Sequence, residues 1–310
     1  MSRIATIINI AAVFTAMLSV TSVAGAQDVD FSGQWVPIYH EDGPERIPGP
    51  ELGDYLGLPI NDAARLRADS YDADRISAVT EYQCRQHAGD YGMRGLANMR
   101  ITADIDPLTQ RVTAFRTRIN FHDAERTIYL DGRPHPPDAA PHSWGGFSTG
   151  TWNGNMLDIR TTHLKSYYIR RNGVPASDER TFTEHWVRHG DFLTVVTVIE
   201  DPVFLTERLV RSQTWALDPG QRLGSNWCES APELPLGEAV VPHHLPGANP
   251  YLKEFSTWYG IPYDATRGGA ETMYPEYRLK LPQTWSTLDR CGRYCMCMNE
   301  GSACPVKPGR

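Results

Sequence analysis

The chain has 310 residues and carries 30 Lys and Arg against 37 Asp and Glu, a formal net charge of −7. That balance argues against nucleic acid or an anionic membrane surface as a partner, since both require a basic face. The length allows a substantial core within one large domain, and 26 Gly with 23 Pro imply many turns and crossings.

Residues 1–26 have the pattern of a secretory signal peptide. Arg3 is their only charge, Ile4 to Val20 is apolar, and Ala24-Gly25-Ala26 supplies the small residues before a cleavage site. Cleavage after Ala26 is expected, leaving a periplasmic or secreted chain from Gln27 with 29 Lys and Arg against 37 Asp and Glu, net −8. A membrane anchor is the alternative, but the run is short for a bilayer and no second span follows, so no stable anchor is expected.

The mature chain is expected to form a barrel domain over residues 27–218, with a helical insertion near 60–80, followed by a loop-rich extension over 219–310. Gly33-Gln34-Trp35 opens a first strand. Asn61 to Val79 is expected to be a helix, with Asn61 as its cap and apolar residues at helical spacing. Cys84 to Gly95 is rich in turn formers and holds His87, Asp90, Tyr91 and Arg94. Strands are then expected at Met99–Asp106, Arg111–Phe121, Glu125–Leu130, Met156–His163, Thr181–Arg188, Phe192–Glu200 and Glu207–Leu217, with Lys165–Arg171 extending Met156–His163 after an irregularity. Asn153-Gly154-Asn155 is a strong hairpin turn, and a further hairpin strand starts at Phe147. Some eight or nine antiparallel strands at close spacing indicate an all-β fold, an up-and-down barrel or sandwich. The extension carries one short amphipathic helix, Asn249 to Tyr259.

Six cysteines, Cys84, Cys228, Cys291, Cys295, Cys297 and Cys304, are an even number in an exported chain and suggest disulfides. Fifteen pairings are formally possible. The last four cluster near the C-terminus, leaving Cys84 and Cys228 as a natural long-range pair. A zinc site is the alternative for the cluster, although its spacing is not that of a zinc ribbon.

Several segments carry a family resemblance: IYLDGRPHP, GFSTGTWNGNMLDIRTTHLK, RRNGVPASDERTFTEHWVRHGDFLTVVTVIEDPVFLTE, VPHHLPGANPYLKEF and GGAETMYPEY. In these, the chain resembles a broad set of uncharacterised secreted bacterial proteins. The strand pattern and the Gly-x-Trp start further resemble lipocalin-like (calycin) barrels. The resemblance implies export and a barrel fold, and no reaction.

No G-x-S-x-G, H-E-x-x-H or G-x-G-x-x-G motif occurs. Glu184, His185 and His189 superficially suggest a zinc helix. On a strand, His185 and His189 would stand about 13 Å apart at ~3.3 Å per residue, too far to share one ion. No metal and no cofactor are expected. Asp131, Arg133 and His135 follow a strand end and could form a pocket rim, Arg133 binding an anion and His135 moving a proton; equally, Arg133 could simply pair with Asp131. His163 and His185 are candidate barrel-interior imidazoles. Tyr167, Tyr168, Trp152, His243 and His244 are candidate ligand contacts. Two functions fit: a cofactor-independent acid–base enzyme (lyase, hydratase or isomerase) acting on a small aromatic or terpenoid-like molecule, or a non-catalytic periplasmic carrier.

Overall fold

A computed structural model describes residues 29–38, 50–72, 79–224, 227–231 and 243–281. Eleven strands lie among them. In chain order they are β1 (Gly33–Pro37), β2 (Met99–Ile105), β3 (Val112–Ile119), β4 (Ala124–Tyr129), β5 (Phe147–Asn153), β6 (Met156–Thr162), β7 (Tyr167–Arg170), β8 (Val174–Ala176), β9 (Thr181–His189), β10 (Phe192–Glu200) and β11 (Leu209–Leu217). Nine close into a barrel in the order β1-β11-β10-β9-β6-β5-β4-β3-β2, while β7 and β8 form a separate two-stranded sheet.

Eight seams of the ring are antiparallel, and one, β4–β5, is parallel through Ile128 opposite Ser148 and Tyr129 opposite Thr149. Parity requires this. A closed ring with an odd number of strands cannot alternate direction all the way round, so at least one seam must be parallel. The Pro-rich crossing over 130–146 leaves β4 and returns beside it to make that seam. Here the fold differs from a purely up-and-down barrel, and for a definite geometric reason.

Strand alternation sorts the two faces. Phe115 and Ile119 of β3, Leu157 and Ile159 of β6, Trp186 of β9, and Leu193 and Val195 of β10 turn inward and are buried. Trp35, Trp186 and Trp215 are wholly buried. Phe31 stacks on Trp152 at 5.7 Å and meets Phe115 and Trp186 edge-on at 5.6 and 5.5 Å. The Gly-x-Trp start therefore supplies a core plug, with Trp35 Nε1 donating to the Phe31 carbonyl at 3.0 Å.

The long connection from β1 to β2 covers the barrel end where β3 finishes and β9 begins. Its helix α1 (Asp62–Asp69) is capped by Asn61 Oδ1, which accepts from Ala64 N at 3.0 Å. Helix α1 stops ten residues before the expected Val79. Ser70 closes it, and Tyr71 leaves the helix to bridge to His243. Tyr55, Leu58, Ile60, Ala64 and Ala68 then pack on Ile169 and Val174 of the small sheet and on Phe182, Ile199 and Leu209 of the barrel. Lys165–Arg171 does not extend β6, because His163 takes φ +58 and turns the chain out of the ring. In the extension, the helix is Glu254–Tyr259, shorter than Asn249–Tyr259. Asn249 works instead as a clamp, donating to the Asp69 and Tyr71 carbonyls at 2.9 and 3.2 Å and accepting from Tyr251 N at 3.0 Å.

Cys84 and Cys228 form a disulfide. Cys291, Cys295, Cys297 and Cys304 lie outside the described residues, as do residues 1–26. No helix among the described residues is long and apolar enough to cross a membrane.

One ion pair lies within the barrel wall's inward face. Arg126 Nη2 meets Glu184 Oε2 at 2.6 Å, the two side chains being 4% and 0% exposed. Removing one partner leaves an uncompensated buried charge. Arg126→Met or Glu184→Leu alone should cost roughly 3–5 kcal/mol in urea unfolding, and the double variant should cost less than either single change. Additive losses would show that the two side chains do not depend on each other.

Candidate functional site

A second gathering of polar side chains sits where the covering segment meets the barrel end. A single helical turn, α2 (Gly89–Gly92), presses on the ring, and a Cβ added at Gly89 would meet the Gly145 carbonyl at 2.9 Å. Asp90, in this turn, makes a two-pronged pair with Arg180 at the start of β9, Arg180 Nε and Nη2 each donating at 3.0 Å. Arg180 Nη1 also donates to the carbonyls of Ser177 (2.5 Å) and Lys165 (2.8 Å). Both side chains are buried.

Around this anchor runs a chain of ionisable groups. Tyr168 Oη donates to Glu81 Oε1, Tyr167 Oη donates to Tyr168 Oη at 3.2 Å, and His87 Nδ1 lies 2.7 Å from Tyr167 Oη. A carboxylate only accepts, so the order is set from that end. Tyr168 donates its hydrogen bond to Glu81 and accepts one from Tyr167. With its own hydrogen used, Tyr167 accepts from His87 Nδ1–H, which leaves the lone pair on His87 Nε2. Thr80 Oγ1 lies 3.1 Å from Tyr167 Oη, and Arg171 Nε lies 3.5 Å from Glu81 Oε1. Aromatic rings wall the cluster: His87 stacks on Phe121 at 4.4 Å, Tyr91 meets Tyr168 edge-on at 4.8 Å, and Trp144 meets Tyr167 at 5.8 Å.

Burial moves these groups in opposite directions. It holds the His87 pKa well below the ordinary imidazole range, with the Arg171, His122 and Arg94 charges adding to the effect. It pushes both Tyr167 and Tyr168 well above the ordinary phenol range, with Glu81 adding to the rise in each. At neutral pH the imidazole is therefore a neutral base and both phenols keep their protons.

The residues expected from the sequence fall elsewhere, apart from Tyr167 and Tyr168. His185 lies on the outer face of β9, half-exposed, with Nδ1 2.5 Å from Asp158 Oδ1. The inward side chains there are Phe182, Glu184 and Trp186. His163 is buried against the crossing, with Nε2 3.0 Å from the Pro137 carbonyl and Nδ1 2.7 Å from Thr162 Oγ1. His135 bridges Thr162 and Thr149, both at 2.8 Å. The Pro137 carbonyl only accepts, so His163 carries its proton on Nε2, Thr162 donates to His163 Nδ1, and His135 donates to Thr162. These two histidines pin the crossing to the outside of β5 and β6. Arg133 is taken up by Asp131, with Nε at 2.9 Å from Oδ1, and lies 3.7 Å over the Tyr129 ring, near the surface. Trp152 stacks inside the core. His243 is exposed, and His244 lies 3.9 Å from Asp72, three residues past α1. His163, His185 and Arg133 thus do not converge in one cavity. No group of three or more His, Cys, Asp or Glu suited to a metal ion occurs among the described residues.

No known family profile, curated protein or solved structure matches the chain.

The sequence places His87, Asp90, Tyr91 and Arg94 in one turn-rich stretch without a role, points to Glu184 only as part of a zinc-helix pattern, and gives no role to Glu81, Arg126 or Arg180. A signal existed for two of these. Arg126 lies between Ala124 and Ile128, and Glu184 between Phe182 and Trp186, each a lone charge on the apolar face of an alternating strand. For Glu81 and Arg180, no local pattern exists.

His87 also predicts a pH effect. Its folded pKa is below its unfolded one, so as pH falls through about 6.5 the unfolded chain takes up a proton that the native state resists, and stability drops. In His87→Gln, the decline in unfolding free energy from pH 7 to 5 should be shallower, by up to about 1.4 kcal/mol per pH unit. An unchanged slope in urea melts would place His87 in water.

Proposed function

We propose that the chain is an exported, lipocalin-like barrel that binds a small, partly aromatic molecule and carries out a cofactor-independent acid–base step of lyase, hydratase or isomerase type. The single observation that supports this is the buried chain His87–Tyr167–Tyr168–Glu81. There, one group is held as a neutral base and two as protonated acids within hydrogen-bond contact. Opposed pKa shifts in one cluster are what paired acid–base work requires.

In this reading, His87 Nε2 takes a proton from the substrate. The imidazolium passes its Nδ1 proton to Tyr167, Tyr167 passes one to Tyr168, and Tyr168 passes one to Glu81. The reverse sequence returns a proton to the product, so no net charge accumulates. Arg171 beside Glu81 steadies the carboxylate. Tyr91, Phe121 and Trp144 supply the apolar rings that surround these groups.

A carrier reading is favoured by a different observation: each member of the chain is already hydrogen-bonded to another member, as a purely structural network would be. A metabolite panel followed by mass spectrometry on purified mature protein would separate the two. The enzyme reading expects His87→Gln and Tyr167→Phe to lower turnover at least 100-fold, with ligand affinity changed less than about threefold, and His185→Ala to alter neither. Equal loss of binding and turnover in the site variants, or binding with no product, would support the carrier.

A further inference from the structure

The segment 79–88 carries Thr80, Glu81 and His87, three members of the site. It takes no part in a strand ladder. Val79–Cys84 forms a short turn closed on itself, with Tyr82 N donating to the Val79 carbonyl, Cys84 N to Glu81 and Arg85 N to Thr80. Cys84 stands between Glu81 and His87 with φ +56, and its sulfur is bonded to Cys228. The strip around Cys228 runs alongside, Ala231 N donating to the Tyr82 carbonyl at 2.9 Å. That strip is open to solvent: Trp227, Glu229 and Ser230 are exposed and Cys228 is half-buried. The bond therefore sits on the accessible side of the site, outside the hydrogen-bond chain.

The bond joins residues 144 apart. The loop it closes contains every strand from β2 to β11, so it links the connection before β2 to the strip after β11. It crosses no seam of the barrel. Breaking it leaves all nine seams intact and frees the two segments at its ends.

We propose that the Cys84–Cys228 disulfide is a redox clamp on the acid–base site: an external dithiol that reduces it releases the Glu81–His87 segment and switches the site off. The step balances as disulfide exchange. A thiolate of the dithiol attacks one sulfur, its second thiol displaces the other, two cysteine thiols form and the dithiol becomes a disulfide. A monothiol leaves a mixed disulfide and does this less completely. The proposal rests on the site reading above for what is switched off. The clamp itself is tested without any substrate.

The test is hydrogen–deuterium exchange of the folded mature chain, oxidised against dithiothreitol-reduced, together with Cys84→Ser/Cys228→Ser, whose other four cysteines are unchanged. Peptides across 79–88 should exchange at least tenfold faster in both the reduced chain and the double variant, while peptides across β9 and β10 should not change. In the same samples, phenol absorbance near 295 nm should gain a population titrating in the ordinary tyrosine range as Tyr167 and Tyr168 lose their burial. Unchanged exchange across 79–88 in the double variant would overturn the clamp. So would loss of the far-ultraviolet β-signal on reduction, since the bond would then hold the whole barrel. If 79–88 loosens as expected while a ligand found by screening is still turned over, the switch fails because the site lies elsewhere, and the site reading fails with it.

Discussion

The arrangement depends on one buried ion pair, Asp90 with Arg180. Carrying two charges out of water is costly, and the attraction between them offsets that cost only when geometry and remaining hydrogen bonds are complete. Here two parallel N–H donors meet one carboxylate, and the third nitrogen of Arg180 is taken by two backbone carbonyls. The pair joins a loop from before the second strand to the first residues before β9, some 90 positions later. With Asp90 fixed, Tyr91 beside it and His87 three residues earlier are held against Tyr167 and Tyr168 of the small sheet.

The barrel contributes a rigid rim for this contact. Its closure removes free edges from the ring, and its odd strand number forces one parallel seam. The crossing that makes the seam is long and polar. His135 on the crossing and His163 just after β6 fasten it to the outside of the wall. The histidines that stand out in the sequence thus hold the scaffold together, while the less conspicuous His87 lies in the dry cluster. Trp35, Trp186, Trp215 and Phe31 pack within the ring, so the polar work is at the rim.

Much of the architecture was legible. Period-two alternation marked strands such as β3 and β6, because a wall with one dry face imposes that pattern, while the Gly-x-Trp start marked β1 and the Asn-Gly turn marked β5. The Asn-Gly turn before β6 and the His189–Asp191 turn before β10 were plain from turn chemistry. The Cys84–Cys228 link followed from setting aside the C-terminal cluster. Three things were not legible. The turn at His163 is a positive-φ departure that no alternation signals. Helix α1 ends early because Tyr71 finds a partner at His243, far along the chain. The site itself is assembled from segments 79–94, 121, 144 and 167–171, brought together by pairings such as Asp90–Arg180 that have no local signature.

The most direct measurement is the protonation state and tautomer of His87 in the oxidised, folded chain, from long-range proton–nitrogen correlation spectra recorded between pH 5 and 8. A neutral ring with its proton on Nδ1 across that range would be the expected result, since burial and the Tyr167 contact both demand it. A ring that titrates near 6.5, or a neutral ring with its proton on Nε2, would contradict the directed chain from His87 to Glu81 and with it the acid–base site.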